Sequence, residues 1–515
     1  MDMIAPTFEQ FRKFAAQGNV IPVYCVMEND IPAHEAYRRI RTGRYSFLLE
    51  SGRFHPKIGR FSFCGTSTEL VFRSRGERIE IKCNGETMVE EGSPLEKLRS
   101  LFADVKFVPT DDPFAACAIS AFAGGAVGFI SYEARRLFEK LPSRCPDDIG
   151  TPDFYFIFCD TFIVFDLANK RNYIVSVADL RRNPNLFSAY EQAIERIEEI
   201  YKKVQSRKGS GLESGIWYPQ TSLGVTHQNS GVESNYTDKE YEEIVRRAKE
   251  YIASGDIYQA NLSQRLCMRT DVETYDLYRV LLEINPSPFG GCLEFDGFNV
   301  ASSSPERLVW TADGIVETRP IAGTRPRGRN LREDREMSAE LILNEKERAE
   351  HIMLVDLERN DIGRVCRHGS VHVDELMVLE KYSHVIHIVS NVRGTLKNGC
   401  DRFDVIRACF PGGTITGVPK VRCMEIIDEL ENVRRGLYTG SIGYISYNGT
   451  MDMNIVIRTF VIRNGRAYVQ VGAGIVADSD PEHEYYETLH KAEALLKTLE
   501  RVGKEHNSEF VVRGS

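Results

Sequence analysis

Several features are scarce in this chain, and each scarcity removes a class of function. Basic charge is not in excess: 65 Lys and Arg stand against 74 Asp and Glu, a formal net charge of -9. Bulk attraction to nucleic acid is therefore not expected, and an anionic substrate must be held by local cations against the overall sign. No run of roughly 18 apolar residues occurs, so no membrane span is expected. The opening Met1-Asp-Met-Ile-Ala-Pro6 has no basic region followed by an apolar core, and no secretory leader is read there. The 12 cysteines are scattered and none forms Cys-x-x-Cys, which argues against zinc and for reduced thiols in a cytoplasm. Nucleotide phosphate loops are missing too. Gly412 and Gly417 have the spacing of one, but Val418-Pro419 stands where Lys-Ser/Thr should follow, and proline removes an amide donor.

What is present is an ordinary globular balance, 42% hydrophobic and 27% charged, over 515 residues. That length supports more than one domain-sized unit. Capping boxes at Thr7-Phe-Glu-Gln10 and Thr237-Asp-Lys-Glu240 open helices. Residues 45–51 and 59–65 read as strands, and residues 154–165 as one long buried strand. Gly124, Gly125 and Gly128 suggest close backbone approach or a bulge. Residues 186–204 have helical periodicity. Asp296-Gly297 and Asp313-Gly314 mark hairpin turns. Asn448-Gly449 and Asn464-Gly465 separate residues 441–447, 451–463 and 466–476 into a three-stranded meander. Asp480-Pro481 starts a terminal helix. Helices interleaved with antiparallel hairpins give an α+β class. Residues 1–204 form one α+β region and 235–505 a second. The Gly/Ser-rich 205–234 is a linker or surface loop, and 506–515 a flexible tail.

The stretch 317–328, Glu-Thr-Arg-Pro-Ile-Ala-Gly-Thr-Arg-Pro-Arg-Gly, reads as a loop whose arginines and amides suit an anion. The helix after it carries Glu350, His351, Asp356 and Asp361, and such carboxylates suit a divalent cation. A turn and a solvated, salt-bridged helix would look the same. Glu350 and Glu487 are candidate cation ligands by residue type, and oxygen ligands without a His-Cys cluster favour Mg²⁺. They lie 137 positions apart, and spacing does not pair them. Arg458 sits in the apolar middle strand of the expected meander, where a lone cation calls for a structural partner or a ligand. Gly472-Ala473-Gly474 exposes backbone amides on the next strand. Residues 412–420 open a helix that can receive a carboxylate. Gln259 and Asn261 share one strand face. His384 and His387 lie in an apolar pattern typical of core histidines.

Several stretches, in order, resemble the chorismate-utilising enzymes: Gly255-Asp-Ile-Tyr-Gln259, Ser304-Pro-Glu306, residues 317–328, Glu347-Arg-Ala-Glu-His351, and residues 356–364, 412–420 and 472–487. The likeness is dense over residues 236–500 and thinner before. It implies an antiparallel β-sandwich core with helices packed outside, built by both halves. It implies that Glu350 and Glu487 hold Mg²⁺ against the ring carboxylate of chorismate. Gly323, Thr324, Tyr438, Arg458 and Gly472, Ala473 and Gly474 would hold substrate oxygens. Glu306 would protonate the departing hydroxyl, and His387 would assist the second step. No glutaminase signature is present, and the resemblance implies that ammonia comes from a small glutamine amidotransferase subunit.

Branch features point two ways. Gln259 stands where water-adding members carry a base lysine, which favours an amine-forming member. Ala322 stands where many aminodeoxychorismate-forming members carry a nucleophilic lysine, and alanine forms no covalent adduct. Tyr382-Ser-His384 is similar to the anthranilate-forming branch. Asn261, Ser304-Pro-Glu-Arg307 and residues 410–420 are closer to the aminodeoxychorismate branch. Leu48-Leu-Glu-Ser51 resembles the tryptophan feedback element. Its partner, usually Asn-Pro-Ser-Pro-Tyr-Met, here reads Asn285-Pro-Ser-Pro-Phe-Gly290. Ser51, Pro288, Phe289 and Gly290 are thus the expected tryptophan contacts, without the Tyr hydroxyl or the Met.

Overall fold

The computed structural model describes residues 4–27, 31–52, 57–66, 70–83, 85–206, 231–382 and 385–512, with side chains of the last helix through 503. Most of the expected linker 205–234, and His384, lie outside these residues. The final helix, Pro481–Val512, runs through much of the segment read as a tail.

Among the described residues, two antiparallel sheets, each of 12 strands, form the core. Each is assembled from both halves of the chain. In the first, Ser46–Glu50 pairs with Phe289–Phe295; in the second, Gly125–Ile130 pairs with Ser441–Ser446. The inner faces meet in one large cluster, where Phe63 packs edge-on to Tyr444 at 5.6 Å and Phe129 stacks on Phe295 at 6.4 Å. Helices cover the outside. Leu186–Gln205 and Thr274–Ile284 lie on the first sheet, and the helix Glu345–Gly363 packs against the far end of the second. The β-sandwich inferred from the motifs is therefore the fold. Both capping boxes form as read. Gly128 is needed where two strands touch: a Cβ there would lie 2.0 Å from the Tyr155 carbonyl oxygen.

Two strand assignments are corrected. Residues 154–165 are not one strand. Phe154–Cys159 belongs to the second sheet and Thr161–Asp166 to the first, with the chain crossing at Asp160. Unbroken apolar character is what a chain passing through a sandwich core needs, so composition could not mark the crossing. The meander fails for the same reason. Ser441–Ser446 pairs with Met451–Asn454 in one sheet, and Thr459–Arg463 pairs with Arg466–Ile475 in the other. Residues 455–458 cross between them. Arg458 sits in that crossing with φ 52°, a left-handed backbone that bulky residues rarely adopt.

Candidate active site

The stretch 317–328 is mostly strand rather than loop. Ile315–Thr318 and Ile321–Pro326 both pair with Val385–Thr395, and the register slips between Ala322 and Thr324. Gly323 sits in that bulge at φ 65°. Its arginines are already committed. Arg319 pairs with Glu375 at 2.7 Å and with Glu380, Arg325 with Glu347 at 3.0 Å, and Arg327 with Asp334 at 2.6 Å. The expected anion clamp is therefore a set of ion pairs: Arg319 ties the segment to the strand His372–Lys381, and Arg325 and Arg327 tie it to the two helices that follow. The next helix is corrected likewise. Asp356 is exposed and paired with Arg359 at 2.8 Å, and buried Asp361 is bound by Lys420. His351 is buried against Ser390 Oγ at 2.6 Å. None of the three joins Glu350.

The bulge positions His387. Its Nδ1 lies 3.0 Å from Thr324 Oγ1 and 3.3 Å from the Gly323 carbonyl oxygen. A carbonyl only accepts, so Nδ1 carries the proton and Nε2 keeps its lone pair. That Nε2 is buried without a partner among the described residues. Burial, reinforced by the nearby Arg458 cation, pushes the imidazole down to about 4, so the ring is neutral at physiological pH. This is a core histidine by burial and an unspent base by hydrogen bonding.

Glu306 precedes the strand Arg307–Ala312 and is 6% exposed. Its backbone carbonyl accepts from Ile455 N at 3.0 Å, which ties it to the crossing that carries Arg458. Burial pushes its carboxyl up to about 7; the Thr414 hydroxyl, the Ile321 amide and the Arg458 cation pull it part of the way back. Thr414 approaches without closing a hydrogen bond of normal geometry, and Glu306 Oε1 has no partner among the described residues. Such a carboxyl holds its proton near neutrality and has an oxygen free for a ligand.

Arg458 is the complementary charge. It forms no ion pair among the described residues, and the one hydrogen bond of its guanidinium there is Nη1 to Asn285 Oδ1 at 3.4 Å. Burial pushes its pKa down, opposed by Glu306. A buried guanidinium without a carboxylate costs several kcal/mol unless an anion arrives. Loop arginines were easier to find by sequence, but among these candidates the one without a carboxylate partner in the described residues is Arg458.

The acids and amides assigned to cation and substrate are joined through the strand Arg466–Ile475. Gln259 Nε2 donates to Glu350 Oε1 at 2.9 Å, and a Cβ on Gly474 would lie 2.6 Å from that nitrogen. Glu487 is paired with Lys491 at 2.8 Å, and Lys491 donates to the Gly472 carbonyl at 3.0 Å. Each glutamate thus stands one side chain away from Gly472–Gly474, with Ala473 between the two glycines. A Cβ on Gly472 would lie 2.7 Å from Tyr438 Oη, which brings the expected tyrosine to the same strand. The pairing with Thr459–Arg463 stops at Phe460 opposite Val469, which leaves that edge of residues 470–475 without the strand. Glu484, one turn before Glu487, is 8% exposed and pushed up by burial and by Glu487. Ligand atoms of His483, Glu484 and Glu487 lie within 4.8 Å of one another. Clustered carboxylates one helical turn apart fit a hard divalent cation.

The four expected effector residues also converge. Ser51, Pro288, Phe289 and Gly290 line one cavity of about 790 Å³. Arg307, which follows Glu306, lies over the Phe289 ring at 5.3 Å. Gly290 is not an empty slot for the missing methionine, because a Cβ there would lie 2.8 Å from the Glu50 carbonyl oxygen and from Tyr278 Oη.

Comparison with known proteins shows the family of the chain that carries this buried acid, guanidinium and imidazole. Residues 84–497 match the model of the chorismate binding enzymes, and the chain belongs to that family. It is similar to anthranilate synthase component 1 of Acetivibrio thermocellus, at 42% identity over 98% of this chain and 100% of that one. It is also similar to aminodeoxychorismate synthase component 1 of Bacillus subtilis (strain 168), at 43% over 89% of this chain and 92% of that one. Among solved structures, anthranilate synthase component I of Streptococcus pneumoniae TIGR4 superposes with a TM-score of 0.74, at 31% identity, covering 92% and 99% of the two chains.

Proposed function

We propose that this chain converts chorismate and ammonia to anthranilate and pyruvate, as the large subunit that receives ammonia from a glutamine amidotransferase. Its full-length similarity to anthranilate synthase components supports the reading. The observation that carries it is Glu306, a buried carboxyl pushed up to about 7 with a free oxygen, in the field of Arg458. Hydroxide is a poor leaving group, so displacing the ring hydroxyl by ammonia needs an acid still protonated at neutral pH.

In this reading Arg458, Thr324, Tyr438 and the Gly472–Gly474 edge hold the substrate's oxygens. Glu306 gives its proton to the departing hydroxyl. His387 Nε2, neutral and unpaired, accepts the ring proton as pyruvate leaves. Glu350 and Glu487, with Glu484 beside them, would hold Mg²⁺. Bound there, the cation would offset the charge of the substrate's ring carboxylate. Lys491 must then release Glu487. The cavity at Ser51 and Pro288–Gly290 is the proposed tryptophan site. Ala322, where a nucleophilic lysine would stand in the sister activity, favours direct addition of ammonia.

Purified chain should form fluorescent anthranilate and pyruvate from chorismate, Mg²⁺ and ammonium. A product that yields p-aminobenzoate only after a separate lyase acts would establish the aminodeoxychorismate reaction instead.

A further inference from the structure

Behind Glu306 lies a second buried acid that the scheme above does not use. Glu358 is on the helix Glu345–Gly363, 4% exposed, and its Oε2 has no partner among the described residues. The two carboxyls share the same two walls. On one side is the loop after Phe410: a Cβ on Gly413 would lie 3.7 Å from Glu358 Oε1, and Thr414 acts on Glu306. On the other is the turn between the paired strands: Thr318 acts on Glu358 and the Ile321 amide on Glu306. Each acid has one buried, unpartnered oxygen.

We propose that Glu358 is the proton store behind Glu306: once Glu306 has given its proton to the leaving hydroxyl, the Glu358 carboxylic acid protonates the Glu306 carboxylate. The O–H bond on Glu358 breaks and one forms on Glu306. Glu358 is left as a carboxylate. The balance closes when the ammonium formed on the ring gives its extra proton to Glu306 as Glu306 returns one to the Glu358 carboxylate. Glu358 is a positioning residue here, since it acts only through Glu306. The inference rests on the reading of Glu306 as the acid.

The charges around the pair suit this role. Burial, then Asp361 and Glu306, push Glu358 upward, and Lys420 opposes them. Asp361 is itself held by Lys420 and lies 3.5 Å from Arg364. Cys409 packs nearby with its thiol pushed well up by burial, so it stays neutral. Of the two acids, Arg458 acts on Glu306. The Lys420–Asp361 pair thus stands ready to balance a transient charge on Glu358.

The test uses the full chain with Glu358→Gln, Glu358→Ala and Glu306→Gln. Infrared titration without substrate reads the carbonyl stretch of protonated carboxyls. Near neutral pH, Glu306→Gln and Glu358→Gln should each remove one band, the Glu358 band persisting to higher pH. Turnover with ammonia should then fall in Glu358→Gln as Glu306 alone ionises. An acid that titrates at about 7 is only about one-tenth protonated at about pH 8. The variant should therefore trail the parent several-fold there and match it closely near pH 6, with KM for chorismate unchanged. Glu358→Ala should show the same pH-selective loss. An infrared spectrum that Glu358→Gln leaves unaltered, or a loss equal at every pH, overturns the proposal. If the parent is inert toward chorismate while both bands behave as stated, the reading of function falls and the paired acids stand.

Discussion

Replacing Glu306 by Gln should abolish turnover and stabilise the fold, and the stability gain should depend on pH in one direction only. Burial raises this carboxyl from 4.5 to about 7. Below the unfolded value both states are protonated and the group is neutral to stability. Between the two values the unfolded chain has lost the proton and the folded chain still holds it, so stability falls as pH rises. Past the folded value the penalty is complete. A shift of about 2.5 units corresponds to about 3 kcal/mol. For a chain of 515 residues the unfolding entropy is about 1.1 kcal/mol/K, so that penalty moves Tm by about 3 °C. Thermal unfolding of parent and Glu306→Gln, followed from pH 4.5 upward, should therefore show Tm curves that diverge by about 3 °C by about pH 8. Any constant offset from the new amide is irrelevant, because only the divergence is read. Parallel Tm curves would mean that Glu306 ionises as an ordinary surface carboxyl, and its role as acid would fall with that.

Arg458→Met removes a buried cation that has no carboxylate partner among the described residues. It should raise the chorismate KM by about ten- to a hundredfold, the worth of a charge-assisted contact, while Tm holds or rises. Glu350→Gln should remove Mg²⁺ binding measured by calorimetry and leave the circular dichroism spectrum unaltered; retained binding would reject the cation assignment. Phe289→Tyr returns a hydroxyl to the 790 Å³ cavity and should tighten tryptophan binding several-fold by the same calorimetry; an unchanged affinity would place any tryptophan site elsewhere. Gly128→Ala drives a Cβ into the Tyr155 carbonyl and should destabilise by about 2–4 kcal/mol, read as a lower Tm.

Local chemistry was the part of this molecule legible in the sequence. The capping boxes at Thr7 and Thr237 form because their side chains reach backbone donors three residues on, and that needs no tertiary context. The failures share one cause. Residues 154–165 and 451–463 each leave one sheet for the other inside an apolar core, and period and composition are the same on both sides of the crossing. Arg458 was noticed for being alone among apolar residues, but its place off the strand, with a left-handed backbone, was not readable. The arginines of 317–328 misled because a sequence cannot show which cations are already neutralised. Glu358 and Thr414 were passed over because a glutamate in a charged helix and a threonine in a glycine loop look like surface residues until burial is known. Spacing could not relate Glu350 to Glu487, because among the described residues each reaches the same strand through another side chain, Gln259 or Lys491.

A crystal structure of Glu306→Gln with chorismate and Mg²⁺ bound would test the central claim most directly. The account places a substrate carboxylate on the Arg458 guanidinium, the departing hydroxyl against residue 306, and the cation between Glu350 and Glu487. Chorismate bound away from Arg458, or its hydroxyl turned from residue 306, would contradict it.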